Sequence, residues 1–83
     1  MTYYLYIVKC SDNSLYTGIT KDLKHRIWQH NFSKYGAKSV KGKRPVKLVY
    51  KEIFETLTEV AKREREIKGW RREKKLALIN GLH

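Results

Sequence analysis

The residues best suited to chemistry near the start of the chain are two tyrosines on neighbouring predicted strands. Tyr6 lies in the apolar run that begins at Tyr3, and Tyr16 opens the segment Tyr16-Thr17-Gly18. Leucine or valine would fill a core without a hydroxyl group that needs a hydrogen-bond partner. Tyrosine is, however, common on strands simply as an amphipathic aromatic residue. Because a very basic sequence follows, the two phenols suggest a phosphate-handling site as the alternative to a plain scaffold.

The loop between the two strands decides whether these tyrosines share a face of the sheet. A two-residue turn would place Tyr6 and Tyr16 on opposite faces. A three-residue loop instead pairs Tyr6 with Gly18 and puts Asn13 in the left-handed conformation, which asparagine tolerates. We therefore predict the three-residue loop, with the two phenols diagonal on one face and open space opposite Tyr6 at Gly18.

An arginine and a histidine lie one turn apart on the first predicted helix, residues 23–31, which Asp22 caps. Arg26 and His30 share a stripe beside the apolar seam of Leu23 and Ile27. The planar guanidinium of Arg26 suits phosphate oxygens better than a lysine does, although many arginines in so basic a chain are solvated charges. A single histidine such as His30 is commonly structural.

One carboxylate falls on the apolar stripe of the second predicted helix. Thr56 and Glu59 match a capping box that starts this helix, and its inward stripe contains Val60, Glu64 and Ile67. A carboxylate on a buried stripe is costly unless a cation or a metal ion pairs with it. The sequence leaves two interpretations of Glu64 open, an internal salt bridge to a basic residue or a functional carboxylate.

Positive charge is the strongest signal in the composition. The 83 residues contain 19 Lys and Arg against 8 Asp and Glu, a formal net charge of +11. No acid stands between Asp22 and Glu52. We expect the basic loop in this interval to bind a nucleic-acid backbone, in preference to serving only as a solubilising surface or binding an anionic membrane. The candidate phosphate-binding residues of this loop are Lys34, Lys38, Lys41, Lys43 and Arg44.

The pattern of apolar residues predicts three strands and about three helices in the order β-β-α-β-α-α. The strands are predicted at residues 3–10, 14–20 and 46–54, and the helices at 23–31, 57–68 and 71–79. The fold class is therefore α+β, with a small three-stranded antiparallel sheet flanked by the helices. We expect residues 1–83 to form one domain, because so short a chain has no room for a second core.

The composition also excludes several classes of protein. Cys10, the only cysteine, rules out an internal disulfide framework and is expected to be buried on its strand, and no Cys/His cluster has zinc spacing. The sequence has neither a signal-peptide pattern nor an apolar run long enough to span a membrane. We therefore expect a cytoplasmic protein without a membrane partner, with a monomer favoured.

Taken together, these residues resemble the GIY-YIG nuclease superfamily. The resemblance covers residues 3 to about 69 and is nearest to the short single-domain members. Relatives include the nuclease module of bacterial nucleotide-excision repair, intron homing endonucleases and flap nucleases, which suggests a role in DNA repair or recombination. The residues that match in order and spacing are Tyr6, Tyr16, Thr17, Gly18, Arg26, His30 and Glu64.

The sequence departs from the family motifs at three places. The first motif, Gly-Ile-Tyr in the family, is Tyr4-Leu5-Tyr6 here, and the second, Tyr-Ile-Gly, is Tyr16-Thr17-Gly18. The late asparagine of many relatives has only Asn80 as a candidate counterpart.

The resemblance implies a Mg²⁺-dependent endonuclease that hydrolyses phosphodiesters in DNA, with RNA as a second substrate class. Glu64 would bind the metal ion, and Tyr6 would act as general base toward the attacking water with support from Tyr16. Arg26 would neutralise charge in the transition state, and His30 would orient a tyrosine or share in proton transfer. Arg26 and the metal ion would favour the ionised form of the Tyr6 phenol.

Two other functions remain as alternatives. One is a weak or inactive GIY-YIG fold that only binds nucleic acid, and the other is a basic structural protein of a ribonucleoprotein. Glu64 distinguishes a nuclease from these two alternatives. In a protein that only binds nucleic acid, a carboxylate facing a phosphate would repel it unless a cation lay between them. We favour the nuclease.

Overall fold

The computed structural model describes residues 1–33 and 42–81, which form three strands and three helices. The strands are β1 (Tyr3–Lys9), β2 (Leu15–Thr20) and β3 (Lys47–Phe54). The helices are α1 (Leu23–Phe32), α2 (Leu57–Lys68) and α3 (Arg72–Ile79). The order of the elements and the antiparallel sheet confirm the predicted α+β fold. The observed ends differ from the predicted ones by one residue at most.

Strand β1 is the centre of the sheet and is buried on both of its faces. The strand order is β2-β1-β3, with both pairs antiparallel. Leu5 and Ile7 point to the face that α2 and α3 cover, whereas Tyr6 and Val8 point to the face that α1 covers. All four side chains are fully buried. This arrangement explains why β1 is apolar at successive positions rather than at every second one.

The β1–β2 hairpin closes through the predicted three-residue loop. The N–H of Cys10 donates to the carbonyl of Ser14 at 2.8 Å, and Asn13 has a φ of 70°. Tyr6 therefore lies opposite Gly18, and Val8 lies opposite Tyr16. The predicted register is confirmed, and Cys10 is buried as expected.

Helix α1 is fixed at both ends by side chains. The Asp22 carboxylate accepts a hydrogen bond from the N–H of His25 at 3.0 Å, which caps the first turn. At the other end, the amide of Asn31 accepts from the N–H of Val46 at 2.7 Å and donates to its carbonyl at 3.2 Å. These two bonds tie the last turn of α1 to the residue that precedes β3.

Helix α2 begins at the predicted cap and packs across the sheet. The Thr56 hydroxyl accepts from the N–H of Glu59, and Gly69 follows the last turn. Val60 and Ile67 are fully buried against the face of the sheet that carries Leu5. No helix within residues 1–33 and 42–81 has both the length and the apolar character needed to cross a membrane.

Candidate active site

The hydroxyl group of Tyr6 is the centre of a buried polar cluster between β1 and α1. Its oxygen lies 2.8 Å from Nε2 of His30, and it accepts a hydrogen bond from Nε of Arg26 at 3.3 Å. Tyr6 and His30 are both fully buried. The alternation of β1 turns Tyr6 toward α1, and the four-residue spacing on that helix turns Arg26 and His30 toward Tyr6.

Gly18 provides the space that the Tyr6 ring occupies. A Cβ atom at Gly18 would lie 2.6 Å from the hydroxyl oxygen of Tyr6 and 2.7 Å from Cζ, closer than any real contact allows. The Tyr6 ring lies over the backbone of Gly18, so the β2 residue opposite Tyr6 must lack a side chain. The glycine of the second motif therefore has a steric role in seating the phenol.

Tyr16 extends the cluster as an aromatic neighbour. Its ring centroid lies 6.4 Å from that of Tyr6 and 5.3 Å from that of His30. The predicted placement of both phenols on one face of the sheet is thus what the structure contains. Edge-on and tilted packing of the three rings holds each of them in place.

Glu64, on α2, lies close enough to this cluster for its charge to act on the Tyr6 phenol. Its side chain is 23% exposed, and Oε2 lies 3.3 Å from Nζ of Lys68, one turn later on the same helix. The ammonium group of Lys68 also lies 6.0 Å from the centroid of the Tyr16 ring. Of the two interpretations left open by the sequence, the salt bridge is present, but Lys68 is half-exposed. Because the lysine end of the pair is half-exposed, Lys68 can move into solvent and leave the carboxylate to another cation.

Burial keeps the Tyr6 phenol protonated. Burial is the largest influence and raises the pKa of Tyr6 to about 12, while the hydrogen bond and charge of Arg26 act in the opposite direction. The nearby charges of Tyr16 and Glu64 raise this pKa further. Arg26 therefore has the expected sign of effect, but it does not outweigh burial. In the protein alone, Tyr6 is a neutral hydroxyl at pH 7.

His30 is neutral for related reasons. Burial, followed by the positive charges of Arg26 and Arg44, lowers the pKa of His30 to about 4. Nδ1 of His30 is buried without a hydrogen-bond partner among residues 1–33 and 42–81. With the proton on Nδ1, that N–H group is unpaired. With the proton on Nε2, the hydrogen of the Tyr6 hydroxyl is unpaired instead.

In either tautomer, the cluster therefore leaves one donor hydrogen unpaired among the described residues. Arg26 can only donate, and one hydrogen of the Tyr6–His30 pair lacks an acceptor in the described part of the chain whichever tautomer is present. Buried donors of this kind are costly unless an acceptor reaches them. The arrangement suits an anionic oxygen, such as that of a phosphate.

The predicted phosphate-binding loop is placed only in part. Lys34, Lys38 and Lys41 lie outside the described residues. Nζ of Lys43 is 3.8 Å from the carboxylate of Asp12, and both groups are exposed. The guanidinium of Arg44 donates to two backbone carbonyls at the end of α1, those of His30 and Ser33. Arg44 thus closes the C-terminus of the helix that carries Arg26.

Thr17 lies in the second motif but points away from the cluster. It pairs with Ile7 across the sheet, and its hydroxyl is buried without a partner among the described residues. Because side chains alternate along β2, the Thr17 side chain lies on the face of the sheet opposite to Tyr6. Asn80 ends α3 and is exposed, with its N–H donating to the carbonyl of Leu76.

A second polar network, which we did not predict, lies on the other face of the sheet. The guanidinium of Arg63 donates two hydrogen bonds of 3.0 Å to Glu52 and also contacts Glu66. The Tyr50 hydroxyl donates to Glu52. Burial would raise the pKa of Glu52, but the hydrogen bonds from Arg63 and Tyr50 lower it overall. The network is internally paired and joins α2 to β3. The i,i+3 spacing of Arg63 and Glu66 was the one signal for it in the sequence.

Among the residues that the structure describes, no three His, Cys, Asp or Glu side chains converge on a point that could hold a metal ion. Among the described residues, Glu64 is a carboxylate whose charge acts on the Tyr6 phenol. One carboxylate is insufficient for zinc but fits Mg²⁺, which keeps several waters and is often bound through one or two carboxylates together with substrate phosphates.

Comparison with known proteins gives a consistent result. Residues 2–77 match a family model described as the GIY-YIG catalytic domain. A UPF0213 protein of Staphylococcus saprophyticus is 56% identical over 78 residues, which is 94% of both chains. A UPF0213 protein of Staphylococcus aureus is 55% identical over the same length and coverage.

Two solved structures share the fold. The solution NMR structure of a UPF0213 protein from Bacillus halodurans has 40% sequence identity and a TM-score of 0.63, covering 96% of this chain and 84% of that one. The solution NMR structure of a protein from E. faecalis has 32% identity and a TM-score of 0.68, covering 100% of this chain and 88% of that one.

Proposed function

The chain belongs to the GIY-YIG catalytic domain family, and on that premise we propose that it is a metal-dependent endonuclease. The reaction would be hydrolysis of phosphodiester bonds in nucleic acid, with DNA as the favoured substrate and RNA as the second. The observation that carries the proposal is the donor-rich cluster of Tyr6, His30 and Arg26, with the Glu64 carboxylate at its margin. Donors on one side and a carboxylate on the other are what a phosphate and its counter-cation require.

Arg26 is the residue best placed to bind the phosphate. Its guanidinium stays charged at any physiological pH, and its orientation is fixed by bonds to Tyr6 and to Oε1 of Gln29, the latter at 3.1 Å. A fixed guanidinium loses little entropy when it binds an anion. Arg26 would therefore stabilise the additional negative charge that develops on the phosphate in the transition state.

Glu64 would hold the divalent metal ion, with Mg²⁺ as the expected choice. When bound, the metal ion would polarise the phosphate and stabilise the charge on the departing oxygen. Lys68, which pairs with Glu64 in the protein alone, is exposed and can turn toward solvent when a stronger cation arrives. Glu64 thus has a replaceable partner rather than a buried permanent one.

Tyr6 and His30 would move the proton of the attacking water. The Tyr6 oxygen would accept the proton from water while the Tyr6 hydroxyl gives its own proton to Nε2 of His30, 2.8 Å away. No isolated phenolate then forms, which matters because its pKa is raised to about 12. A bound phosphate would make His30 more basic, because a negative charge favours the imidazolium. Tyr16 would support this pair by packing against both rings.

A fold that only binds nucleic acid is the second candidate. The Glu64–Lys68 salt bridge favours it, because this pair offsets the negative charge that would otherwise repel phosphate. Replacement of Glu64 distinguishes the two functions. A nuclease loses cleavage when Glu64 is replaced. A binding module has no cleavage to lose, and its affinity for nucleic acid stays the same or improves.

The test is a cleavage panel with the purified chain. Single-stranded, duplex, flap and junction substrates of DNA and RNA are incubated with Mg²⁺ or with EDTA, using wild type and Glu64→Ala. We expect cleavage that needs Mg²⁺ and is lost in the variant, while binding in EDTA persists or tightens. Binding without cleavage of any substrate would support the binding module instead. Equal cleavage by both proteins would overturn the assignment of Glu64.

A further inference from the structure

A cleft of about 600 Å³ opens between the N-terminal half of α1 and strands β1 and β3. Its volume falls within the range of sites that hold small ligands. Four of its lining residues are apolar or aromatic, which distinguishes it from the charged surface around it. They are Tyr4, Leu23, Ile27 and Leu48.

The rim of the cleft carries net positive charge. Lys21, Lys24 and Lys51 line it, against one acid, Asp22. The Asp22 carboxylate is already engaged by the N–H of His25 at the start of α1. Nζ of Lys21 lies 5.6 Å from the centroid of the Tyr3 ring. The three lysines are exposed and can reach an anionic ligand. Because Asp22 already accepts a hydrogen bond from the backbone, its carboxylate competes little with such a ligand for the lysines.

The cleft adjoins the proposed active site. Tyr4 precedes Tyr6 by two positions on β1 and shares its face of the sheet. Lys51 is the β3 residue directly opposite Tyr6. Leu23 and Ile27 belong to the apolar cluster that surrounds the Tyr6 ring. A strand whose phosphodiester lies at Tyr6 and Arg26 would reach this cleft on its way toward β3.

Tyr4 places an aromatic ring in the wall of the cleft. Aromatic side chains are stacking platforms for nucleobases, and the contact tolerates any base because each has a π-face. Lysines at the rim suit the phosphates on either side of such a base.

We propose that this cleft binds one unstacked nucleotide next to the scissile phosphodiester. The base occupies the apolar space beside Tyr4, and Lys24 and Lys51 contact the flanking phosphates. This proposal rests on the nuclease function above. It implies that the substrate strand has an unpaired base at this position, as in single strands, flaps and junctions. In an intact duplex the bases stay stacked and do not enter the cleft.

The test is an NMR titration of methyl-labelled protein in EDTA, where no cleavage occurs. The probes are a thymidine trinucleotide, a trimer of the same length with abasic deoxyriboses, and a blunt duplex. We expect the trinucleotide to shift the methyl signals of Leu23, Ile27 and Leu48. Leu57, which lies outside the cleft and is exposed, is the internal control. The abasic trimer and the duplex should shift the cleft methyls less.

Variants separate stacking from charge. Tyr4→Leu should weaken trinucleotide binding at least fivefold, while Tyr4→Phe should retain it, because the ring and not the hydroxyl stacks. Lys24→Ala with Lys51→Ala should weaken binding at least tenfold. The matched control, Lys9→Ala with Lys47→Ala, removes the same charge from exposed positions outside the cleft and should have a much smaller effect.

Two results would overturn the proposal. One is a set of cleft methyl shifts that are the same for the trinucleotide, the abasic trimer and the duplex. The other is equal loss of affinity in the two lysine double variants. These results are independent of cleavage. If the protein cleaves DNA but the cleft does not distinguish base-containing from abasic trimers, it is a nuclease without this nucleotide site. If the cleft binds the base but the protein cleaves no substrate, the nuclease function is overturned.

Discussion

The hydroxyl of Tyr6 lies 2.8 Å from Nε2 of His30, and both side chains are completely buried. Together with the hydrogen bond that Arg26 donates to the same oxygen, this contact joins the central strand to the first helix. Burial drives the two pKa values apart, to about 12 for Tyr6 and about 4 for His30. Both groups are therefore neutral at pH 7, and their protonation becomes sensitive to any charged ligand.

Replacing Gly18 with alanine should displace the Tyr6 ring. The added Cβ would lie 2.6 Å from the hydroxyl oxygen, so the ring must move and its bond to His30 must lengthen. We expect a loss of about 1–3 kcal/mol in the free energy of unfolding, together with loss of cleavage. Chemical denaturation measures the first and a plasmid nicking assay the second. Gly42→Ala is the matched control, because no atom of residues 1–33 or 42–81 lies within 4 Å of a Cβ there. Equal effects at both glycines would contradict the steric role of Gly18.

Thr17→Val should stabilise the protein. The hydroxyl of Thr17 is buried and has no partner among the described residues, so removing it eliminates a desolvation cost at nearly constant shape. We expect a gain of about 1 kcal/mol in the free energy of unfolding, measured by denaturant titration. Thr20→Val provides the contrast, because the Thr20 hydroxyl accepts from the N–H of Asp22 at 3.2 Å and its loss should destabilise. A destabilised Thr17→Val protein would show that the hydroxyl is satisfied.

His30 should make stability depend on pH between about 6.5 and about 4. In this interval the unfolded chain binds a proton at the histidine and the folded chain does not, since burial lowers the folded pKa to about 4. The free energy of unfolding therefore falls as the pH falls, by up to about 3 kcal/mol below both pKa values. Denaturation curves at a series of pH values measure this slope.

His30→Gln supplies the reference for that slope. Glu52 and Asp12, whose pKa values are lowered in the folded protein, also lose their stabilising effect as the pH falls, but at lower pH. The difference between wild type and His30→Gln isolates the histidine. Identical pH profiles for the two proteins would mean that folding does not lower the pKa of His30.

The basic loop should determine much of the salt dependence of binding. Each lysine that neutralises a phosphate of duplex DNA contributes about 0.9 to the slope of log affinity against log salt concentration. Replacing Lys34, Lys38 and Lys41 together with alanine should flatten this slope by up to about 3, measured by fluorescence anisotropy in EDTA. A control triple variant at Lys9, Lys47 and Lys62 carries the same charge change. If the two triple variants have the same slope, the loop is not a preferred phosphate-binding surface.

Much of the site could be predicted because it depends on local spacing. Counting residues in the hairpin loop, with Asn13 in the left-handed conformation, gave the register that pairs Tyr6 with Gly18. The four-residue spacing of Arg26 and His30 likewise placed both on the side of α1 that faces the sheet. These relationships involve one turn or one helix, so sequence alone determines them.

Other features depend on tertiary structure and could not be read from spacing. The pKa of Tyr6 is controlled by burial, which needs the packed position of α1. The Glu52–Arg63 pair needs the register between β1 and β3, which shifts at Ile7/Val8, and the position of α2 above it. The Glu64–Lys68 pair, in contrast, has the i,i+4 spacing of neighbours on one helix, so the sequence already contained the signal for it.

The central claim is that Glu64 holds the metal ion of a nuclease centre, and the most direct test compares two glutamates on one helix. Glu64→Gln and Glu66→Gln remove the same charge two residues apart, and Glu66 pairs with Arg63 whereas Glu64 pairs with Lys68. Single-turnover cleavage with Mg²⁺ is measured for both variants and for wild type. We predict a loss of about a hundredfold or more for Glu64→Gln and little change for Glu66→Gln. Equal rates for the two variants would contradict the account.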